Sequence, residues 1–299
     1  MIKYEYYVVD AFTPTRFLGN PAGVVLGADE LTEDLLKAIA AEIHLSETAY
    51  VLRPSSPDAD VRIRWFTPEV EVKMCGHATL ATAHVLRQTG PWTDTSQPLR
   101  IETLSGVLRV ELDRIGGHEM LWLHMPAPKL LRKAIDPMRL AELCGLQFAH
   151  LARDLPIQQT QDQDLIVPLQ DFQVLQAAQP NFRDLAQFCK LNRVRGVCLT
   201  TRRAVSAAVT LQSRFFAPAV GIDEDPVTGS VHGPLAAYAV LYNIVTLTHG
   251  EAVIECLQTP ASARVGVIRI RIRQQPDNTL AVKVGGECLT SMQGHVIVD

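Results

Sequence analysis

Apolar residues recur along the chain with two different periods. Alternating or short continuous apolar runs predict strands at 6–12, 23–26, 49–53, 61–66, 107–112 and 121–124, and again at 165–169, 197–201, 207–216, 252–257, 267–272 and 280–284. A helical period follows Thr32-Glu33-Asp34, with Thr32 as the cap, acids in the first turn and Leu35, Leu36, Ile39 and Ile43 on one face. That helix should stop near His44, and a second is expected over 181–190. Strands and helices do not alternate strictly, which argues against a doubly wound parallel sheet. The pattern fits an α+β architecture in which curved, barrel-like mixed sheets surround a central helix.

The most informative pattern is a repeat. Arg64-Trp65-Phe66-Thr67-Pro68-Glu69-Val70 returns as Arg214-Phe215-Phe216-Ala217-Pro218-Ala219-Val220, 150 positions later. Each copy runs through an irregular acidic stretch into a glycine and a small, apolar, helix-like run. The first begins Cys75-Gly76-His77-Ala78 and the second Thr228-Gly229-Ser230-Val231. Matching Gly76 to Gly229 leaves three extra residues in the second loop, placed by sequence around Asp223-Glu224-Asp225. The abundance of Ala, Thr and Gly in these runs suits a helix packed tightly inside a sheet. A length of 299 residues accommodates two halves of about 150 residues. A boundary is expected at Met125-Pro126-Ala127-Pro128, giving domains 1–124 and 125–299, with the last strand able to return to the first domain.

Composition narrows the function. A net charge of -4 and the lack of a basic run interleaved with aromatics argue against a nucleic-acid partner. No stretch approaches ~18 uninterrupted apolar residues and the first residues do not read as a signal peptide, so no membrane association is expected and a cytoplasmic location is. The six cysteines form no CxxC and no metal-spaced cluster with histidine, so neither zinc nor a disulfide framework is expected, and most should be core thiols. Glycine-rich nucleotide-binding and serine-hydrolase motifs are absent from the sequence.

Candidate chemistry gathers at the two repeated helix starts. Gly76-His77 and Gly229-Ser230 would present unbonded backbone N–H groups and the positive helix end to an anion such as a carboxylate. Asp225 is expected to cap the second helix with Pro226 in its first turn, and to be able to point a carboxylate at a substrate. Glu47, in Ser46-Glu47-Thr48, lies on a loop leading into a core strand, where partial burial would tune it as a proton shuttle. Cys75 stands at a helix start that favours a thiolate, and an inert buried thiol fits equally well.

Together Asp10-Ala11-Phe12, Gly19-Asn20-Pro21-Ala22-Gly23, Ser46-Glu47-Thr48, Phe66-Thr67-Pro68 leading to Gly76-His77-Ala78-Thr79, and Phe216-Ala217-Pro218 leading to Glu224-Asp225-Pro226-Val227-Thr228-Gly229-Ser230 resemble the PhzF-like family, relatives of diaminopimelate epimerase. The resemblance implies two pseudo-symmetric domains with an active site in the cleft between them, a homodimer, and no metal or organic cofactor. It implies an isomerase acting on a small carboxylate substrate, with Glu47 as proton carrier and His77 and Asp225 assisting. Asn20, Ser46, Cys75, Gly76, Gly229 and Ser230 would bind the substrate. Met74-Cys75-Gly76-His77 also resembles the first cysteine motif of two-thiol epimerases and racemases, whose second cysteine is missing from Asp225-Pro226-Val227-Thr228-Gly229. A Cys75-assisted epimerase and a catalytically silent binding protein are the alternatives.

Overall fold

The computed structural model describes all 299 residues. The chain forms two compact units, Met1–His124 with Gly285–Asp299, and Met125–Val284.

The first unit contains β1 (Ile2–Ala11), β2 (Asn20–Val25), α1 (Glu33–Ile43), β3 (Thr48–Leu52), β4 (Val61–Phe66), β5 (Glu71–Val72), α2 (Gly76–Thr89), β6 (Leu99–Thr103), β7 (Gly106–Ile115) and β8 (His118–Met125), whose last residue belongs to the second unit. Thr32 caps α1 by accepting the Leu35 N–H, and His44 ends it in the left-handed conformation at φ 55°. Leu36, Ile39 and Ala40 pack with Tyr50, Phe66 and Val25 in one apolar cluster. In the sheet, β2 runs parallel to β3, β3 antiparallel to β4, β4 parallel to β6 and β6 antiparallel to β7. α2 lies against β1, β2 and β3 and is buried along almost its whole length. Its threonines tolerate burial because each hydroxyl donates back into the helix, Thr79 to the Cys75 carbonyl and Thr82 to the Ala78 carbonyl.

The second unit contains β9 (Leu130–Leu131), α3 (Pro137–Leu143), β10 (Gln158–Thr160), β11 (Leu165–Pro168), α4 (Phe172–Ala177), α5 (Phe182–Asn192), β12 (Val197–Thr201), β13 (Leu211–Ala217), β14 (Ile222–Asp225), α6 (Gly229–Leu241), β15 (Glu251–Gln258), β16 (Gly266–Gln274) and β17 (Leu280–Gly286), whose last two residues belong to the first unit. Here β11 runs parallel to β12, β12 antiparallel to β13, β13 parallel to β15 and β15 antiparallel to β16. Leu140, Leu175, Leu185, Cys189, Leu199 and Phe216 form its helix-side core. The final strand, β18 (Cys288–Val298), pairs antiparallel with β1 along its length. The second unit thus ends at Val284 and the last residues sit in the first, the return of the last strand that the expected 125–299 domain allowed for.

The same order of parallel and antiparallel neighbours in both units bears out the duplicated α+β reading and extends it. Thr48 pairs with Phe66 as Val197 pairs with Phe216. Gly23 N–H reaches the Glu47 carbonyl as Leu165 N–H reaches the Gly196 carbonyl. Arg64 bonds Glu71 and lies 5.0 Å from the Phe66 ring centre; Arg214 bonds Glu224 and lies 5.0 Å from that of Phe216. Because Glu71 and Glu224 are thereby equivalent, the three extra residues fall before Glu224, at 221–223, which narrows the expected placement around Asp223-Glu224-Asp225 to its start.

Candidate active site

Both repeated glycines open helices where the sequence placed them, α2 at Gly76 and α6 at Gly229. In the first unit the chain enters β2 through Gly19, whose φ is 64°; an added Cβ there would stand 2.2 Å from the Ala11 carbonyl oxygen. That tight turn delivers Asn20 to the start of α2. Glu47 is brought to the same place by the loop between α1 and β3, its backbone carbonyl held by Gly23 N–H at 3.1 Å.

His77 is the centre of the cluster, and its ring is 7% exposed. Nε2 stands 3.4 Å from Glu47 Oε2 and 3.4 Å from Ser46 Oγ. Nδ1 stands 3.5 Å from Asn20 Nδ2 and 3.5 Å from Cys75 Sγ. With the amide nitrogen of Asn20 turned toward it, Nδ1 is assigned as the acceptor and Nε2 as the protonated nitrogen facing the Glu47 carboxylate. These are long contacts of the kind that tighten when a substrate closes a site. The carboxylate is mostly buried, at 13% exposure.

Glu47, Cys75 and His77 place an oxygen, a sulfur and a nitrogen within 4.8 Å of one another, a donor set chemically able to hold a divalent ion. Sequence spacing gave no sign of it, since Glu47 comes from a different loop. The His77 contacts to thiol and carboxylate use opposite ring nitrogens, which suits a proton relay better than a shared metal.

The second unit assembles a different set. Asp225 ends β14, paired with Phe215, and α6 begins at Gly229, three residues beyond Pro226. The expectation that Asp225 caps the helix with Pro226 in its first turn is therefore corrected: hairpin pairing holds Asp225 upstream, and Thr228 occupies the cap position. Thr228 Oγ1 donates to Asp225 Oδ2. Fully buried Gln258 fixes the loop, donating to the Asp225 carbonyl at 2.7 Å and accepting the Thr228 N–H at 2.9 Å. Sequence reading missed Gln258, which lies on the distant β15.

Sequence reading also missed Arg195. It donates from Nε to buried Asp164 at 2.8 Å, from Nη2 to the other Asp164 oxygen, and from Nη2 to Ser230 Oγ at 3.1 Å. Burial raises the Asp164 pKa against the opposing effect of that guanidinium. His232 proves structural: Nδ1 faces the Thr228 carbonyl at 2.7 Å, and burial depresses its pKa to about 4.

All six cysteines are free and buried. Burial pushes Cys144 and Cys288 up to about 12 and Cys189 to about 11, and raises Cys198 and Cys256 as well, which marks these five as inert core thiols. No helix is long and apolar enough to cross a membrane.

The surroundings of these residues find parallels in known proteins. The model of the phenazine biosynthesis-like protein family, PhzC-PhzF, matches residues 9–294. An uncharacterized isomerase of Pseudomonas aeruginosa is 39% identical over 296 residues, covering 99% of both chains. One from Deinococcus radiodurans is 37% identical over 297 residues, covering 97% of this chain and 94% of its own. The crystal structure of the Bacillus anthracis phenazine biosynthesis protein of the PhzF family superposes with a TM-score of 0.91 at 28% identity, covering 100% of both. With the family model spanning nearly all of it and the fold shared throughout, this chain belongs to the PhzF-like family of phenazine biosynthesis-like isomerases.

Proposed function

We propose that the protein shifts a proton on a small carboxylate-bearing substrate by acid–base chemistry, without an organic cofactor, and that Glu47 carries the proton. The observation behind this is the Glu47–His77 pair, 3.4 Å apart at the start of buried α2. A carbon next to a carboxylate becomes acidic when the developing negative charge on the carboxylate oxygens is stabilised. The positive end of α2, at Gly76, supplies that stabilisation. Glu47 then takes the proton as a base and returns it as an acid to another carbon or to the opposite face. The Nε2–H of His77 donates to the carboxylate form and holds it in place. Asp225 is proposed as an assisting acid–base group, and Asn20, Ser46, Gly229 and Ser230 as binding groups.

A second reading is favoured by Cys75 Sγ lying 3.5 Å from His77 Nδ1, in which the thiol is a further proton carrier of an epimerase. Deuterium wash-in separates the readings. A screen of small carboxylates and amino acids in deuterated buffer, followed by mass spectrometry, should show exchange with wild type and Cys75→Ala but not with Glu47→Gln. Loss in Cys75→Ala with retention in Glu47→Gln would establish the thiol reading, and no exchange with any protein would favour a silent binder.

A further inference from the structure

The register shared by the two units makes Ser46-Glu47 and Arg195-Gly196 equivalent, since each pair immediately precedes the strand that starts at Thr48 or Val197. His77 and Ser230 are equivalent in the same way, each following the first glycine of its helix. In the first unit Ser46 Oγ lies 3.4 Å from the His77 ring; in the second, Arg195 Nη2 donates to Ser230 Oγ at 3.1 Å. The place beside the proton carrier is thus occupied in the second unit by a guanidinium. No carboxylate fits at Gly196, where even a Cβ would lie 2.3 Å from the Phe215 ring.

The guanidinium is held rigidly. Asp164, 1% exposed, takes Nε and Nη2 as a fork, and the Phe215 ring lies 5.8 Å from the guanidinium carbon. These bonds use one edge of the group and leave Nη1, on a side chain 36% exposed. Because arginine only donates, Ser230 Oγ accepts from it and must direct its own proton elsewhere. We propose that Arg195 and Ser230 together bind a carboxylate of the substrate at the start of α6, Arg195 through Nη1 and Ser230 through its hydroxyl proton. This rests on the reading of the protein as acting on carboxylates. The Asp164–Arg195 pair is neutral in sum and Asp225 adds a nearby negative charge, so recognition depends on directed donors and the α6 N–H groups, not on net positive charge. Such a site selects a carboxylate over a carboxamide, whose NH2 would face other donors. Arg195 is in this sense a specificity-determining residue.

The test uses the full chain, with sodium succinate and succinamide as probes and backbone amide NMR shifts as the readout. Succinate should shift Gly229 and Ser230 in a saturable way, and succinamide should not. Arg195→Lys keeps a cation beside Asp164 but loses the fork; it should weaken succinate binding at α6 at least tenfold and leave the Gly76 and His77 response intact. Ser230→Ala, which leaves the Arg195–Asp164 pair in place, should weaken it severalfold. Unchanged affinity at α6 in both variants, or succinate shifts confined to Gly76 and His77, would overturn the proposal while leaving a carboxylate substrate in place. The absence of saturable shifts at both helices would overturn the proposal and the carboxylate reading with it.

Discussion

The two units build one scaffold and furnish it differently. Each runs a helix into a core strand, crosses an Arg–Glu-stapled hairpin, and opens a buried helix at a glycine. At the entrance to α2 the first unit carries Glu47, Cys75 and a histidine bridging them. At the entrance to α6 the second carries Gly196, Thr228 and a serine under a fixed guanidinium. The shared parts are those that hold a helix start in place; the differing parts are those able to exchange a proton or to hold an anion. Scaffold and chemistry are thus separable, and in this account the first unit moves the proton while the second recognises charge.

Neutralising the proposed carrier should have the largest effect. Glu47→Gln keeps the shape of the side chain and should lower proton exchange about a thousandfold with the thermal midpoint little changed, read by mass spectrometry and calorimetry. A stability difference comes next. His232 is depressed to about 4 from the usual 6.5, so as pH falls between those values the unfolded chain takes up a proton that the folded one refuses. Stability is therefore full above about pH 6.5 and should fall by about 3 kcal/mol toward pH 4, and His232→Gln should flatten that dependence in urea titrations. Cys75→Ala should leave the exchange rate within about tenfold of wild type, separating proton carrier from neighbour. Smallest are the caps of the equivalent helices. Thr32→Ala removes the acceptor for Leu35 N–H and Asn181→Ala that for Asp184 N–H, and each should cost about 1 kcal/mol in denaturant unfolding.

Much of this organisation is legible in the sequence. The strands Val61–Phe66 and Val197–Thr201 fall where apolar patterning puts them, and the helix after Thr32 ends at His44. Local signals suffice there because burial and capping act on neighbours in sequence. Cys288–Val298 was not resolved as a strand, because its exposed face carries mixed residues and its partner β1 is at the other end of the chain. Asp225 looked like a cap because Asp-Pro commonly precedes a helix, but pairing with Phe215 and the reach of Gln258 from β15 shift the helix start to Gly229. The Glu47–His77 contact was within reach only through family resemblance, since nothing in spacing joins those residues. Arg195 was invisible for a related reason: its equivalence to Ser46 is a matter of register, and the two segments share no sequence.

In the proposed reaction proton transfer resides with Glu47. Deuterium wash-in at saturating substrate, on folded wild type and Glu47→Gln side by side, tests it most directly. The expected result is exchange by wild type and a rate about a thousandfold lower in the variant; a variant retaining more than about a tenth of the wild-type rate would contradict it.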